Sequence, residues 1–557
     1  MNDLKPFVLR PYQRKSLAVF GQNEAVLDAS EMGCGKSLTA AMWIPELGLR
    51  NPRILIVAPK RTLQQWRALL WRQFPSLRER DLVHIASSPS ATPEVWNRIT
   101  RKQPGVFITS WSSVRGVVPR EVPVTKDEPP RVNLTKEKKP RLYVRPERVS
   151  APGPVPEGYL LAPEARASRG YRDMYDGRKL TVKAIREAMR CRDVPPWGRA
   201  GTWDLVIADE AHRMCADRNS LQSLVMRKMI KSVRRMALSG TPAGGKPENI
   251  WPLLNFLWPD LYRSRWDFIK RYFIVEEKVI SRSGKTANDI IGEKNPGELW
   301  GDIPCVVRHR LADVEKQLPP VVERTIEIPM SQEQARIYGE FEQKCEAWLE
   351  GQPYSASLPI TQRIRLRQAA LGVLTARRVR IDPFDPGKEE FDFKRIAECP
   401  KIDAIAELIS DLPEGQPLVV YTHSAKWAKL AVEKLAKFRP TALWGGGLTV
   451  RQEERLRRRI QEEPLILVAV IAAVAEGVDE LQHACHHEVW ASRDESLLFN
   501  TQARGRLHRS GQKKTVQRWV LASEGTVDVA IDTTLYLRNK MLQGMYRDRK
   551  EDLQEAV

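Results

Sequence analysis

Two tandem α/β lobes, each a parallel sheet flanked by helices, with a helical region between them, are the architecture this sequence predicts. Short β-branched runs recur between amphipathic stretches in the first half: AVLDAS, RILIVAP, GVFITS, DLVIADE and RMALSG. The second half repeats the rhythm with PLVVYTH, LILVAVI and HHEVWAS. Strands buried on both faces read as near-continuous apolar runs of this kind, joined by helical crossovers. The chain length of 557 residues exceeds what one core supports and suggests three or four domain-sized units.

Each element then takes its place. Residues 1–265 form the first lobe and residues 396–540 the second, with a tail over 541–557 read as helical. Residues from about 117 to 200 interrupt the first lobe with a stretch rich in Pro, Lys and Arg (EVPVTKDEPPRVNLTKEKKPRLYVRPERV), read as an insertion whose later part, 180–190, is a short helix. Between the lobes, residues 266–395 read as mostly helical and basic, as in QRIRLRQAALGVLTARRVR. In open α/β sheets the working loops lie at the carboxyl ends of the strands, so chemistry is expected where each apolar run stops. No short-period repeat is present, which excludes a solenoid.

Apolar residues make up 42% and charged residues 29%, an ordinary globular balance. No apolar run approaches the ~20 residues a membrane span needs. The opening residues, MNDLKPFVLRPYQ, lack the apolar core of a signal peptide, so a cytoplasmic protein without membrane partners is expected. Lys plus Arg outnumber Asp plus Glu by 90 to 69, a formal charge of +21, and such an excess attracts polyanions. The seven cysteines, at 34, 191, 215, 305, 345, 399 and 485, form no C-x-x-C pair, which argues against a disulfide framework or a zinc knuckle. His483, Cys485, His486 and His487 lie close together, but alternate residues of a strand face opposite ways and cannot all meet one ion, so packing is expected there.

The chemistry-bearing residues sit where strands end. AVLDA runs into Ser30-Glu31-Met32-Gly33-Cys34-Gly35-Lys36-Ser37, a small-residue loop whose backbone N–H groups suit the β- and γ-phosphates of a nucleotide. Lys36 would bridge the phosphates and Ser37 would hold Mg²⁺. DLVIADE ends in Asp209-Glu210-Ala211-His212, where Asp209 suits a grip on Mg²⁺ and Glu210 the polarisation of an attacking water. The loop and the acid pair together predict ATP hydrolysis. Near the far end, QARGRLHRSGQ (502–512) places Arg506 and Arg509 three residues apart, so on a helix they would share a face and reach a transferring phosphate.

SEMGCGKS, DEAH, LSGTP and QARGRLHRSGQ, in that order, resemble the motor core of superfamily 2 helicases, and the SNF-type, chromatin-remodeller-like branch is the most similar. The resemblance covers nearly the whole chain apart from 117–200 and the last dozen residues. It implies two RecA-like lobes and a nucleotide cleft between them. Leu9-Arg10-Pro11-Tyr12-Gln13 matches the stretch that contacts adenine, through Gln13. APKRTLQQW (58–66) and FITSW (107–111) resemble motifs Ia and Ib, which makes Lys60, Ser110 and Trp111 candidates for nucleic-acid contact. Ser239-Gly240-Thr241 matches motif III, which couples phosphate state to lobe movement. YTHSAKW (421–427) stands where motif IV belongs and adds Thr422 and His423 as nucleic-acid candidates. Gly477-Val478-Asp479 matches the end of motif V, with Asp479 near the ribose, and Gln502 opens the arginine motif as a further nucleotide-side residue. LPP (318–320), with Ser331, Gln334 and Tyr338, resembles the stretch between the lobes.

The chain departs from the family at Ser30 and Cys34, where Asp and Leu are usual, and motif V lacks the usual hydroxyl residue six before its Gly. SRDESLLFNTQ, following the Glu-Val-Trp strand, is similar to prokaryotic or phage forms. The resemblance implies a duplex-DNA translocase using ATP and Mg²⁺ and binding DNA without sequence preference, in a prokaryotic cell or a phage-infected host, with replication or recombination proteins as further partners. A strand-separating or branch-migrating helicase is the near alternative. A non-hydrolysing DNA-binding scaffold would show a broken Lys36, Glu210 or Arg509 position, and all three are intact.

Overall fold

In the computed structural model of the chain, the described residues are 5–87, 92–114, 200–279, 286–344, 359–374, 398–443, 465–475 and 480–546, with short pieces between them. The predicted helix at 180–190, most of the 117–200 insertion and residues 547–557 lie outside them. The chain divides into two compact units: residues 1–30, 35–244 and 248–308 form one, and residues 31–34, 245–247 and 309–557 the other.

The first unit is built on β1 (Ala25–Asp28), β2 (Arg53–Ala58), β3 (Val83–Ala86), β4 (Gly105–Ser110), β5 (Thr202–Asp209), β6 (Lys231–Leu238) and, after the antiparallel ribbon described below, β9 (Val306–Val307). They form one sheet in the order β9-β1-β6-β5-β2-β4-β3, and all its pairings are parallel. Its central runs are buried on both faces, which is why they read as continuous apolar strings in the sequence. Ile54, Ile56, Leu205, Ile207 and Met236 form one layer with Phe20 of helix α1 (Pro11–Gly21), Trp43 of α2 (Lys36–Glu46) and Trp66 of α3 (Leu63–Gln73). Burying an apolar side chain of this size fully contributes about 1.5–3 kcal/mol, so the sheet and its crossover helices set each other's positions.

Register brings the strand ends level. Asp28 pairs with Leu238, Asp209 with Leu238, Val57 with Ala208, and Ala58 with Ser110. The loops that follow β1, β2, β4, β5 and β6 therefore all leave from one edge of this sheet.

The second unit holds β10 (Val321–Ile328), β11 (Leu418–Thr422), β12 (Thr441–Leu443), β13 (Ile466–Val470), β14 (His487–Trp490) and β15 (Val516–Ser523). These pair in parallel in the order β10-β15-β14-β11-β13-β12. The fold class read from the sequence, two parallel sheets flanked by helices, is the one present.

The expectation that residues 266–395 are mostly helical is corrected. Phe273–Val279 (β7) and Thr286–Glu293 (β8) form an antiparallel ribbon, and β10 is an edge strand of the second sheet, paired from Val321↔Val516 to Ile328↔Ser523. Both were masked by charge: VVERTIEI carries Glu323, Arg324 and Glu327 on a strand covered along only one edge, so it lacks the apolar run that marks a central strand. Helices Gln332–Lys344 and Pro359–Ala369 do occupy part of that region.

Candidate nucleotide site

The loop after β1 is shaped by its ends. Asp28 accepts the N–H of Ser30 at 3.0 Å, turning the chain off the strand. The N–H of Glu31 donates to the carbonyl of His309 at 2.9 Å, and the Glu31 carboxylate accepts the N–H of Leu311 at 2.8 Å. Cys34 is buried, its thiol donating to the His309 carbonyl at 3.5 Å. Gly33 follows the same turn at φ +90°. Gly35 has φ +73°, a left-handed conformation that an L side chain resists, and a Cβ there would stand 2.5 Å from the Gln13 amide nitrogen. That geometry lets α2 begin at Lys36 with its first N–H groups facing the loop.

Lys36 Nζ donates to the Ser30 carbonyl at 2.7 Å, lying back along the loop that a phosphate would occupy. Ser37 is half-buried on the first turn of α2. Gln13 is buried on α1, its amide oxygen accepting the N–H of Arg10 at 2.9 Å and its Nε2 donating to the Gly35 carbonyl at 3.5 Å. This ties the Leu-Arg-Pro-Tyr-Gln stretch directly to the loop.

Asp209 ends β5 and is buried. Its Oδ2 accepts the indole N–H of Trp66 at 2.8 Å, its Oδ1 accepts the N–H of Glu210 at 3.0 Å, and its carbonyl accepts the indole N–H of Trp111 at 2.8 Å. Burial and the neighbouring Glu210 push the Asp209 carboxyl up to about 6, with the Trp66 hydrogen bond, Lys36 and the Glu210 N–H opposing them. Glu210 adopts a left-handed backbone at φ 49°, uncommon for a residue other than glycine. Its carboxylate lies 3.2 Å from His212 Nδ1, and the same nitrogen lies 3.1 Å from the Ser239 hydroxyl. The Ser239 N–H in turn donates to the Asp28 carbonyl at 3.0 Å, and its hydroxyl accepts the N–H of Thr241. The ends of β1, β5 and β6 are thus one hydrogen-bonded assembly.

A hydroxyl on the first turn of α2 and a buried carboxylate at the end of β5 are the hard oxygen donors Mg²⁺ takes, and both are present in Ser37 and Asp209. A divalent cation would also offset the charge that burial disfavours at Asp209. The donor set fits the ion.

Lys60 is exposed in the turn Lys60–Thr62 that follows β2. Ser110 and Trp111, named with it from the sequence, are buried: the Ser110 hydroxyl caps the next turn by accepting the Ser113 N–H, and Trp111 faces Asp209. Thr422 is buried and His423 half-buried, both within hydrogen-bond distance of the Ser492 hydroxyl, and desolvation holds the His423 imidazole well below its usual range. These side chains support the loops from within.

In the second unit, Gln502 is buried in the helix Leu497–Arg504. The expectation that Arg506 and Arg509 share a helix face is corrected. The helix stops at Arg504 with Gly505 as its C-cap, and both arginines lie in the turns beyond it. Further along, Gly511 has φ +95°, and a Cβ there would stand 2.6 Å from the His483 ring. Arg506 is buried, its Nη2 donating to the Ala475 carbonyl at 2.6 Å, which ties the arginine motif to the end of the helix Ile471–Ala475. Arg509 is half-buried, and the neighbouring His508 and Ser510 reach the Pro319 carbonyl at 3.0 Å and the Glu315 carboxylate at 2.9 Å. Asp479 lies outside the described residues.

What the sequence reading missed is a link: Trp66 and Trp111, the last residues of the two motif strings, both donate to Asp209. Nothing in the strings themselves announces that shared partner. In the stretch 483–487 Cys485 is buried, its thiol donating to the Pro417 carbonyl, while the centroids of the His486 and His487 rings lie 3.9 Å apart and His487 stacks on Trp519.

A glycine-rich loop after β1, an acid pair after β5 and a late arginine motif are thus carried on two parallel-sheet units. The family model described as the SNF2-related domain matches residues 12–370, more than half of the chain. The chain belongs to that family. Among its relatives, the "DNA annealing helicase and endonuclease ZRANB3" of Bos taurus is 25% identical over 358 residues, covering 63% of this chain and 30% of that protein. YwqA of Bacillus subtilis (strain 168) is 26% identical over 343 residues, covering 60% of this chain and 34% of that protein. The "ISWI chromatin-remodeling complex ATPase CHR11" of Arabidopsis thaliana is 32% identical over 151 residues, 26% of this chain and 13% of that protein. The chain therefore spans about a third or less of the length of these relatives. A solved structure, "Sulfolobus solfataricus SWI2/SNF2 ATPase core in complex with dsDNA", aligns over 97% of this chain and 94% of its own at 16% identity, with a TM-score of 0.36. Among the described residues no helix is long and apolar enough to cross a membrane.

Proposed function

We propose that the chain is a nucleic-acid-dependent ATPase that uses ATP and Mg²⁺ to translocate along double-stranded DNA without fully separating its strands. The observation that carries this reading is that the loop leading to Lys36 and the Asp209-Glu210 pair leave level strand ends of one sheet, Asp28 and Asp209 both in register with Leu238, and that Ser239 and His212 join those ends. In this reading Gln13 contacts the base, and the backbone of Gly33, Cys34 and Gly35 cradles the phosphates. Lys36 neutralises charge on the β- and γ-oxygens. Ser37 and Asp209 would hold Mg²⁺, which when bound would offset negative charge on the phosphates. Glu210 orients and deprotonates the attacking water, with His212 restraining its carboxylate. Arg506 and Arg509 stabilise the charge that develops on the phosphoryl group, Gln502 serves the nucleotide side of the motif, and Asp479 serves the ribose.

The presence of the γ-phosphate and its loss are two states that Ser239-Gly240-Thr241 can report, because Ser239 bonds both the DEAH histidine and β1. The DNA partner is supported by the net charge of +21 and by the names of the relatives. Contact with phosphates is sequence-independent, and the exposure of Lys60 supports a part for it in that contact. A cytoplasmic setting in a prokaryotic cell or phage-infected host, with replication or recombination proteins as partners, completes the reading.

Displacement of a triplex-forming strand from duplex DNA, run beside displacement of an annealed oligonucleotide, tests it. ATP-dependent triplex displacement without oligonucleotide release is expected. Oligonucleotide release at equal rate would instead identify a strand-separating helicase, and neither activity would reject a motor.

A further inference from the structure

Two indole N–H groups from different crossover segments meet on one residue. Trp66, on α3 just after the exposed Lys60 turn, donates to Asp209 Oδ2; Trp111, the first residue after β4, donates to the Asp209 carbonyl; both distances are 2.8 Å. The two rings are each 2% exposed, so neither bond is shared with solvent. Asp209 uses Oδ1 for the Glu210 N–H, which leaves Trp66 as the side chain that fixes the other carboxylate oxygen. A hydrogen bond to an ionised acceptor in a dry interior is about twice as strong as one between neutral groups.

We propose that Trp66 and Trp111 are positioning residues. Trp66 sets the rotation of the Asp209 carboxylate for the metal, and Trp111 anchors its backbone, so that the loop bearing Lys60 and the segment after β4 are mechanically tied to the metal-holding strand end. This rests on the nucleotide-site reading given above. A shift of the Lys60 turn on gripping a phosphate backbone moves the start of α3, and α3 carries Trp66 one turn further on. The linkage is reciprocal: whatever polynucleotide does to the metal–nucleotide site, nucleotide must do to polynucleotide binding.

Buried Trp96 supplies the control. It lies in the same unit, and its indole donates to the Ser87 carbonyl at 3.0 Å, remote from Asp209 in the hydrogen-bond network. Trp66→Phe, Trp111→Phe and Trp96→Phe each delete one buried indole donor and leave an aromatic ring. A merely structural role predicts the same response from all three.

The test uses the full chain and calorimetric binding of a non-hydrolysable ATP analogue, with and without Mg²⁺ and with and without duplex DNA. In Trp66→Phe the factor by which Mg²⁺ tightens the analogue falls about tenfold, the expected size for losing a hydrogen bond to a charged group, while metal-free affinity is kept. Trp66→His, which restores a ring N–H, recovers part of that factor. Trp111→Phe keeps the Mg²⁺ effect within about twofold and loses most of the change in analogue affinity caused by duplex DNA, a coupling of about 5- to 150-fold in typical cases. Trp96→Phe changes neither. The inference is overturned if Trp66→Phe retains the full Mg²⁺ effect or responds as Trp96→Phe does. If Trp66→Phe does not fold, Trp111→Phe decides alone: unchanged coupling to DNA overturns it. Failure of the parent chain to bind the analogue at all would instead remove the nucleotide-site reading, which separates the two failures.

Discussion

Single residues in the phosphate loop and the acid pair are fixed by contacts that make their roles separable. Lys36 lies along the loop on the Ser30 carbonyl, so its loss removes a charge for phosphate without emptying a core. Lys36→Ala should lower the rate of ATP hydrolysis by at least about 100-fold, as removal of a transition-state electrostatic partner does, with an unchanged thermal melting curve. Glu210→Gln should likewise stop turnover while nucleotide binding persists, read by comparing single-turnover hydrolysis with analogue affinity. Gly35→Ala asks for a side chain at φ +73°, which costs about 1–2 kcal/mol, and pushes on the Gln13 amide. Weaker ATP binding together with a lower melting temperature is the expected outcome. At this scale much was legible. A Gly-rich string, an Asp-Glu pair and two arginines can be recognised as residue types at fixed spacing. The bond from Trp66 to Asp209 was not, because 143 residues separate the partners and an indole donor carries no pattern of its own. Ser110, Trp111 and Thr422 show the converse: their strings locate the loops at strand ends, yet burial is a tertiary fact that turns these side chains inward.

Among the elements, the second sheet is held by charges that no apolar pattern announces. Lys401 is 1% exposed, and its ammonium donates to the carbonyls of Ala491 and Leu521 and to Asp528 at 2.6 Å, joining the ends of β14 and β15 to the helix Val527–Met545. Lys401→Met strands that carboxylate and should cost about 3–5 kcal/mol in chemical denaturation of the second unit. Glu323 of β10 collects Arg518 at 2.9 Å, Arg493 at 3.0 Å and Arg504 at 3.3 Å, while Arg518 also pairs with Glu488, which is fully buried. Burial works against the ionised form of Glu323, but the three arginines outweigh it and hold its carboxyl below the ordinary value. A depressed folded-state value means that this stabilisation is present above the ordinary value of 4.5 and is lost as pH falls below it. Stability of the second unit, followed by melting temperature against pH, should therefore drop on the acid side of about 4.5, and Glu323→Gln should flatten the drop. The same charges explain why β10 reads as non-strand: an edge strand bearing a salt-bridge cluster sacrifices the alternation that sequence patterning relies on. Central strands such as RILIVA needed no such correction, since burial on both faces leaves only apolar residues. The arginine motif fell between these cases. Its spacing suggested a helix, but the helix ends at Arg504 with Gly505 as its C-cap, and Arg506 and Arg509 lie in turns.

Across the whole molecule the net charge of +21 supports the proposed DNA partner and predicts a strong salt dependence. Affinity for DNA should fall linearly on a log–log plot against salt; with 6–10 phosphates neutralised, the loss between 50 and 200 mM is about 10³- to 10⁵-fold. Fluorescence anisotropy of a labelled duplex reads that slope, and a shallow one would separate DNA binding from the basic surface. The most direct measurement is the steady-state rate of ATP hydrolysis by the full chain at one fixed low salt concentration, without polynucleotide and then with duplex DNA, single-stranded DNA, forked DNA or RNA, with Lys36→Ala in parallel. The expected result is a rate raised at least about tenfold by duplex DNA, the size of a coupling of roughly 1.4 kcal/mol, and abolished by Lys36→Ala. A rate indifferent to every polynucleotide, or one that survives the loss of Lys36, would contradict it.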